Sequence, residues 1–314
     1  MRQAASIVCI GGANVDRKAR LLTPFRLGTS HPVVTTQTAG GVARNVAENL
    51  GRFGHTVSLV SAVGDDRDGQ WLIDVTSRYV NTSFIMRTPK ANTGTYTAVI
   101  DECGEMVLAL ADMVIYDTVG KEWMKQRWPE LGPISAVVLD TNFPKAVIRL
   151  VIEQCRQEDI PLCVVTVSAP KVKRLPSDLS GVTWLITNEA EAKAFVGSDG
   201  HTDDIMEAIL HAGAKNVVIT SGANGVAYAA KQGETGTLAA PKVDVVDATG
   251  AGDAFAAGFL HGVLNGHTMK NACYFGMSNA ALTLQTTETV NRALNEQVLH
   301  AVYKQYFRQG GMTE

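Results

Sequence analysis

The 314-residue sequence predicts an α/β fold, with a mostly parallel sheet covered by helices on both faces and a small separate β-sheet. Three observations predict it. A short apolar run near the N-terminus ends in paired glycines, apolar runs alternate with helical patterns through the second half, and one alternating hairpin at 93–111 breaks that rhythm. Strands that alternate with helices imply parallel βαβ units.

Ser6–Ile10 is a buried first strand, apolar throughout and closed by Gly11-Gly12. Residues 41–54 place Val42, Val46, Ala47, Leu50 and Phe53 on one helical face, and Gly54 supplies the stop. A strand over 57–63 and a helix over 67–79 follow. Residues 93–111 read TGTYTAVIDECGEMVLALA, two alternating runs broken at Glu102–Gly104, which predicts a β-hairpin. The polar stretch 17–36 lacks helical periodicity and is expected to pair with that hairpin. The rest alternates: strands at 136–139, 162–167, 184–186 and 217–220, and helices at 144–157, 188–196 and 203–213. An antiparallel meander is expected over 225–229, 235–239 and 242–246, then helices near 251–265, 268–284 and 294–308. No internal repeat or long linker divides the chain, so residues 1–314 read as a single domain carrying the small sheet.

Hydrophobic residues make up 46% and charged residues 19%, which is globular and not disordered composition. With Lys+Arg at 28 and Asp+Glu at 31, the net charge of -3 lacks the basic excess of a nucleic-acid or anionic-membrane binder. Anionic small molecules stay open, because backbone amides hold phosphate without net charge. Cys9, Cys103, Cys155, Cys163 and Cys273 form no Cys-x-x-Cys pair, against zinc-ribbon and thioredoxin readings. Met1–Ser6 lacks an apolar signal region, and no run nears the ~18 apolar residues of a membrane span, so a reducing, cytoplasmic location is expected.

The richest segment is Asp247-Ala248-Thr249-Gly250-Ala251-Gly252-Asp253-Ala254-Phe255. Gly250, Ala251 and Gly252 are too small to block a ligand from the backbone, and they precede a helix with Phe255, Phe259, Val263 and Leu264 on its face. A helix start presents unpaired amides and a partial positive charge, a ready anion site. Asp253 then has two readings. It caps the helix, or it takes the proton of an attacking hydroxyl beside an anion held by the amides, as phosphoryl transfer to an alcohol requires. The GxxxxGK[ST] pattern is absent, residues 10–16 read IGGANVD instead of GxGxxG, and there is no HExxH. P-loop, dinucleotide-binding and catalytic-zinc readings therefore lose their sequence support.

From Ile7 to about Val302 the chain resembles the ribokinase-like (PfkB) carbohydrate and nucleoside kinases. Two blocks carry the resemblance: Gly40-Gly41-Val42-Ala43-Arg44-Asn45 with its helix and Ser61–Asp65, and DATGAGDAFAAGF at 247–259. It implies a three-layer α/β sandwich with a β lid, here from about 17–36 and 93–111, and an ATP- and Mg²⁺-dependent kinase of a nucleoside or sugar. It implies that Asp253 is the base and that Gly250, Ala251 and Gly252 form the anion hole. It also implies that Asn14, Asp16, Gly40, Gly41 and Asn45 bind the sugar. Asn188 and Glu191 match the family's NxxE pattern for Mg²⁺ and phosphates, Thr220, Gly222 and Gly225 the nucleotide loop, and Asn279 a helix residue near the adenine. Asp247 and Thr249 match a K⁺ site, although Thr283–Glu288, where the family uses a Gly- or Ala-rich stretch, has no glycine. Plainer readings stand beside several of these: an Asx turn for Asn14 and Asp16, an N-cap for Asn188, a structural carboxylate for Asp247.

Within the family the chain is similar to the pseudouridine kinases, through Arg44, through Ala111-Asp112-Met113 after the hairpin, and through Val167-Ser168-Ala169-Pro170-Lys171. That likeness implies a ribosyl 5′-hydroxyl as acceptor. Other nucleosides and furanose sugars remain alternatives, as does a non-catalytic sensor. Asp112 would meet the N–H groups of a uracil edge, and Lys171 either a carbonyl or phosphate, or solvent. Val165-Thr166 stands where relatives carry Asp-Pro. Family lids often pair between subunits, and an open lid edge implies a homodimer.

Overall fold

The computed structural model describes residues 6–307. In chain order the N-terminal part holds β1 (Ser6–Ile10), β2 (Asn14–Leu21), β3 (Val33–Gly40), α1 (Val42–Arg52), β4 (Val57–Gly64), α2 (Arg67–Thr76), β5 (Ile85–Thr88), β6 (Thr95–Ile100), β7 (Met106–Asp112) and α3 (Lys121–Arg127). Then come β8 (Ile134–Asp140), α4 (Lys145–Gln157), β9 (Leu162–Val165), α5 (Ala169–Val172), β10 (Trp184–Asn188), α6 (Glu189–Val196), α7 (Thr202–His211) and β11 (Asn216–Thr220). The chain closes with β12 (Val226–Ala230), β13 (Thr235–Leu238), α8 (Ala251–Leu264), α9 (Met269–Leu284) and α10 (Glu296–Phe307).

The large sheet has nine strands in the order β13-β12-β11-β10-β9-β8-β1-β4-β5. It is parallel from β5 to β11, and only β12 and β13 run antiparallel. A parallel sheet is buried on both faces, so its strands read as continuous apolar runs without alternation. β1 shows this: Val8 and Ile10 join the core under α4, α6 and α7, while Ile7 and Cys9 join the core under α1, α8 and α9. The result is the ribokinase-like three-layer α/β sandwich.

The small sheet has the order β3-β2-β6-β7, with β2 parallel to β6 and the outer pairs antiparallel. Its strands come from 14–40 and 95–112, so the polar stretch pairs with the hairpin as expected.

One expected strand is absent. Residues 242–246 form no strand. Val243 and Val245, which look like strand alternation, line a cleft instead, and the Val246 amide bonds the Leu284 carbonyl at 2.8 Å. The short β5, α3 and α5 were not expected. Residues 1–5 and 308, used above for the signal-peptide and last-helix readings, lie outside the described residues. No helix among the described residues is long and apolar enough to cross a membrane.

Candidate active site

The site runs along the C-terminal ends of β1, β8, β10 and β11, where ligands of open parallel sheets bind. Asp253 lies in the first turn of α8 and does not cap it. The N-cap is Gly250, with no side-chain cap bond, and the Asp253 carboxylate instead accepts from Asn45 Nδ2 at 2.8 Å. Gly250 sits at φ 84, and a Cβ there would stand 2.3 Å from the Thr289 carbonyl oxygen, so only glycine makes this turn. The Ala251 amide reaches the Ala248 carbonyl at 3.3 Å. The next two amides of the helix, Gly252 and Asp253, lie where no intrahelical acceptor exists, and the space around Gly252 is open.

Burial raises the Asp253 carboxyl to about 7 against the lowering effect of the Asn45 bond, and the charges of Asp140 and Asp16 push the same way. Asn45 is itself oriented: its Oδ1 accepts from Arg44 Nη1 at 2.8 Å, which leaves the amide hydrogens for Asp253. Arg44 is buried, bonded to the Ala39 carbonyl at 3.0 Å and paired with Glu48. Burial lowers its guanidinium to about 10, which still leaves it charged near pH 7.

The sugar-site candidates converge on the same place. Asn14 Nδ2 donates to Asp16 Oδ1 at 2.6 Å, a side-chain pair in place of the Asx turn. Both residues are buried, and burial pushes Asp16 up to about 6. A Cβ on Gly40 would fall 2.2 Å from Asp16 Oδ2, and one on Gly41, at φ 99, would fall 2.4 Å from the Gly12 carbonyl oxygen. The glycine pair therefore lets β3 turn into α1 against the β1 loop.

Sequence reasoning missed Asp140. This fully buried carboxylate at the end of β8 accepts from the Gly12 amide at 2.8 Å, the Ala43 amide at 3.0 Å, and the Asn142 amide and side chain at 2.8 and 2.9 Å. It ties the β1 loop to the start of α1, and burial raises its carboxyl despite those bonds. The signal available was polar Asp140-Thr141-Asn142 at the end of an apolar strand. Tyr116 adds a bond to the Ala13 carbonyl at 2.8 Å. Lys171 is not a free surface lysine, since its Nζ donates to Asn142 Oδ1 at 2.5 Å. Asp112 stands exposed at the end of β7, level with Thr95 and, through it, Val15.

Beyond the Gly250–Asp253 turn lies a cleft of about 620 Å³, lined by Thr220, Gly222, Gly225, Ala251, Gly252 and the loop 240–248. Its size and apolar walls suit a nucleotide. Met277, Ala280, Ala281 and Leu284 of α9 form the far wall. Asn279 does not line it. It is fully buried on the opposite face of α9, donating to Asn49 Oδ1 at 2.9 Å and the Ala254 carbonyl at 2.7 Å, so its expected place near the adenine is corrected to a tie among α9, α1 and α8. Asn188 caps α6, its Oδ1 accepting from the Glu191 amide at 2.9 Å. The Glu191 carboxylate is buried and accepts from the Thr166 hydroxyl, which also bonds Thr187 at 2.9 Å. Thr166 thus holds Glu191 in place.

Asp247 and Thr249 do not fit a monovalent cation. The Asp247 carboxylate pairs with the Lys18 ammonium from β2 of the small sheet, and its other oxygen takes the Thr249 amide at 2.9 Å and hydroxyl at 2.6 Å. Lys18 Nζ also lies 3.3 Å from Thr249 Oγ1. Burial would raise Asp247, but these bonds outweigh it and hold its carboxyl below the usual range. The carboxylate a bare cation would use is already paired with an ammonium.

The model of the pfkB family carbohydrate kinases matches residues 4–296. A pseudouridine kinase of Escherichia coli (strain K12) is 30% identical over 302 residues, covering 94% of this chain and 95% of that one. A guanosine-inosine kinase of Exiguobacterium acetylicum is 28% identical over 290 residues, covering 90% and 95%. A solved carbohydrate kinase from Agrobacterium tumefaciens superposes with a TM-score of 0.86 at 29% identity, covering 96% of this chain and 98% of that one.

Proposed function

The chain belongs to the pfkB family of carbohydrate kinases, and on that premise we propose that it transfers the γ-phosphoryl group of ATP to the 5′-hydroxyl of a ribosyl substrate, pseudouridine first among candidates. The observation that carries the reading is the Asp253 carboxylate, held by Asn45 at 2.8 Å in the first turn of α8, where Ala251 and Gly252 line the nucleotide-sized cleft. Near pH 7 it accepts the proton of the substrate hydroxyl while that oxygen bonds to phosphorus and the bond to the leaving ADP breaks. The Gly252 and Asp253 amides meet the charge on the transferring group. Asn14 and Asp16 take the sugar hydroxyls, with Gly40 and Gly41 leaving room for the ring. The four-stranded lid excludes water, which would otherwise accept the phosphoryl group.

Kinases of this family use ATP. The oxygen donors where β10 passes into α6, Thr187 and Asn188 with Glu191, suit a hard cation such as Mg²⁺. When bound, that ion supplies charge neutralisation on the phosphates. The choice of pseudouridine is supported by the likeness to the E. coli enzyme and by Asp112 and Lys171, which offer an acceptor and a donor to a base edge.

An assay of ATP consumption with Mg²⁺ over pseudouridine, uridine, adenosine, ribose and fructose tests this. A 5′-phosphorylated pseudouridine as the dominant product is expected. Turnover of another acceptor in preference replaces the substrate, and ATP binding without turnover on any acceptor replaces the kinase with a sensor. The exposed Met106, Leu108 and Leu110 on the open edge strand β7 support a homodimer through the lid, which light scattering of the purified chain checks.

A further inference from the structure

The far end of α8 carries a second cluster, eight residues and about 12 Å along the helix from Asp253. His261 is buried there, walled by Phe53 and Phe275 at ring-centroid distances of 5.0 and 5.8 Å. Glu296 and His300 stand one turn apart at the start of α10. One ligand atom from each of His261, Glu296 and His300 lies within 4.8 Å of the other two. His261 Nε2 and Glu296 Oε1 are 3.9 Å apart, too far for a hydrogen bond. His55 Nε2 stands 3.0 Å from His261 Nδ1, and Asn265 Nδ2 lies 3.4 Å from both ring nitrogens while giving its short bond, 2.8 Å, to the His261 carbonyl. None of these residues has a part in the phosphoryl transfer.

We propose that His261, Glu296 and His300 form a site for a borderline transition-metal cation of the Zn²⁺ class, which pins α10 to α8. Two imidazoles and a carboxylate, with water in the remaining position, are a zinc donor set. Glu296 and His300 at i and i+4 project from one face of α10, the spacing that lets one helix give two ligands. Tetrahedral zinc with bonds near 2.0–2.1 Å sets its ligand atoms roughly 3.3 Å apart. The 3.9 Å gap therefore closes by a small rotation of exposed Glu296. His55 supplies the bond at the other ring nitrogen that orients metal-bound imidazoles. A hard cation held by phosphates finds no oxygen cage here, which separates this site from the one near Glu191.

The test uses the full chain stripped with a chelator and kept free of nucleotide, titrated with Co²⁺ alone and then with Zn²⁺ alone. A single Co²⁺ with visible bands of a tetrahedral nitrogen-oxygen site is expected, displaced by Zn²⁺, and Zn²⁺ raises Tm. His300→Ala and Glu296→Gln each weaken binding by at least roughly tenfold, while their metal-free Tm and kcat match the wild type. Asp253→Asn binds Co²⁺ like the wild type. Absence of the bands, or bands that survive both α10 substitutions, overturns the site. Loss of the bands in Asp253→Asn moves the metal to the active site and overturns it equally.

Discussion

Asn45 Nδ2 lies 2.8 Å from Asp253 Oδ2, and the opposite end of the same amide accepts from Arg44 Nη1 at 2.8 Å. Two residues 208 apart in the chain are joined by a bond whose direction a buried guanidinium sets. Asn45 thereby favours the ionised carboxylate and aims it. Replacing Asn45 with Ala removes that support, so the acidic limb of the kcat profile should move to higher pH and the plateau should fall. An unshifted limb would restrict Asn45 to sugar binding, which a raised KM alone would report.

Asp253 also couples rate to stability through pH. Its carboxyl is raised to about 7 in the fold, against about 4 in an unfolded chain. Between those values the native state holds the proton and the unfolded state does not, so stability falls as pH rises through the window. Asp253→Asn cannot ionise and escapes that loss. Its Tm should match the wild type near pH 4 and exceed it increasingly up to pH 8. A variant less stable than wild type at pH 8 would mean the carboxylate holds the helix together instead of being held in it.

Lys18 and Asp247 join the small sheet to the turn before α8 with an ammonium, where a K⁺ ion would need the same carboxylate. Exchanging K⁺ for Na⁺ at constant ionic strength should leave kcat unchanged. Strict K⁺ dependence in steady-state assays would show that the ion displaces Lys18 during turnover.

The Thr166 hydroxyl binds the buried Glu191 carboxylate. Thr166→Val keeps the shape and removes that bond. A raised KM for MgATP with an unchanged KM for the nucleoside is expected. Equal effects on both would place Glu191 outside the nucleotide half of the site.

The parts of the site legible in the sequence were local ones. The Gly250–Asp253 turn and the Gly40-Gly41 pair announce a helix start and a close approach within a few residues. The small sheet was legible because its alternation breaks a regular strand–helix rhythm. Asp140 was not, because its role arises where amides from Gly12 and Ala43 meet it across 128 and 97 residues. Asn279 was misplaced because α9 is buried on several sides, from Met277 at the cleft to Asn279 against α1, and no polar stripe marks which face meets the ligand. Val243 and Val245 mimic a strand because a cleft wall needs apolar residues as much as a sheet does.

Asp253 is the proposed base, and Asp253→Asn isolates its role in proton transfer. Asparagine keeps the shape and the contact with Asn45 but cannot take the proton. On the preferred acceptor, kcat should fall by about 10²–10⁴-fold, with ATP affinity by calorimetry unchanged and the limb near pH 7 gone. A variant that keeps most of its kcat, with the same pH profile, would contradict the assignment and leave the helix amides as the only contribution of this turn.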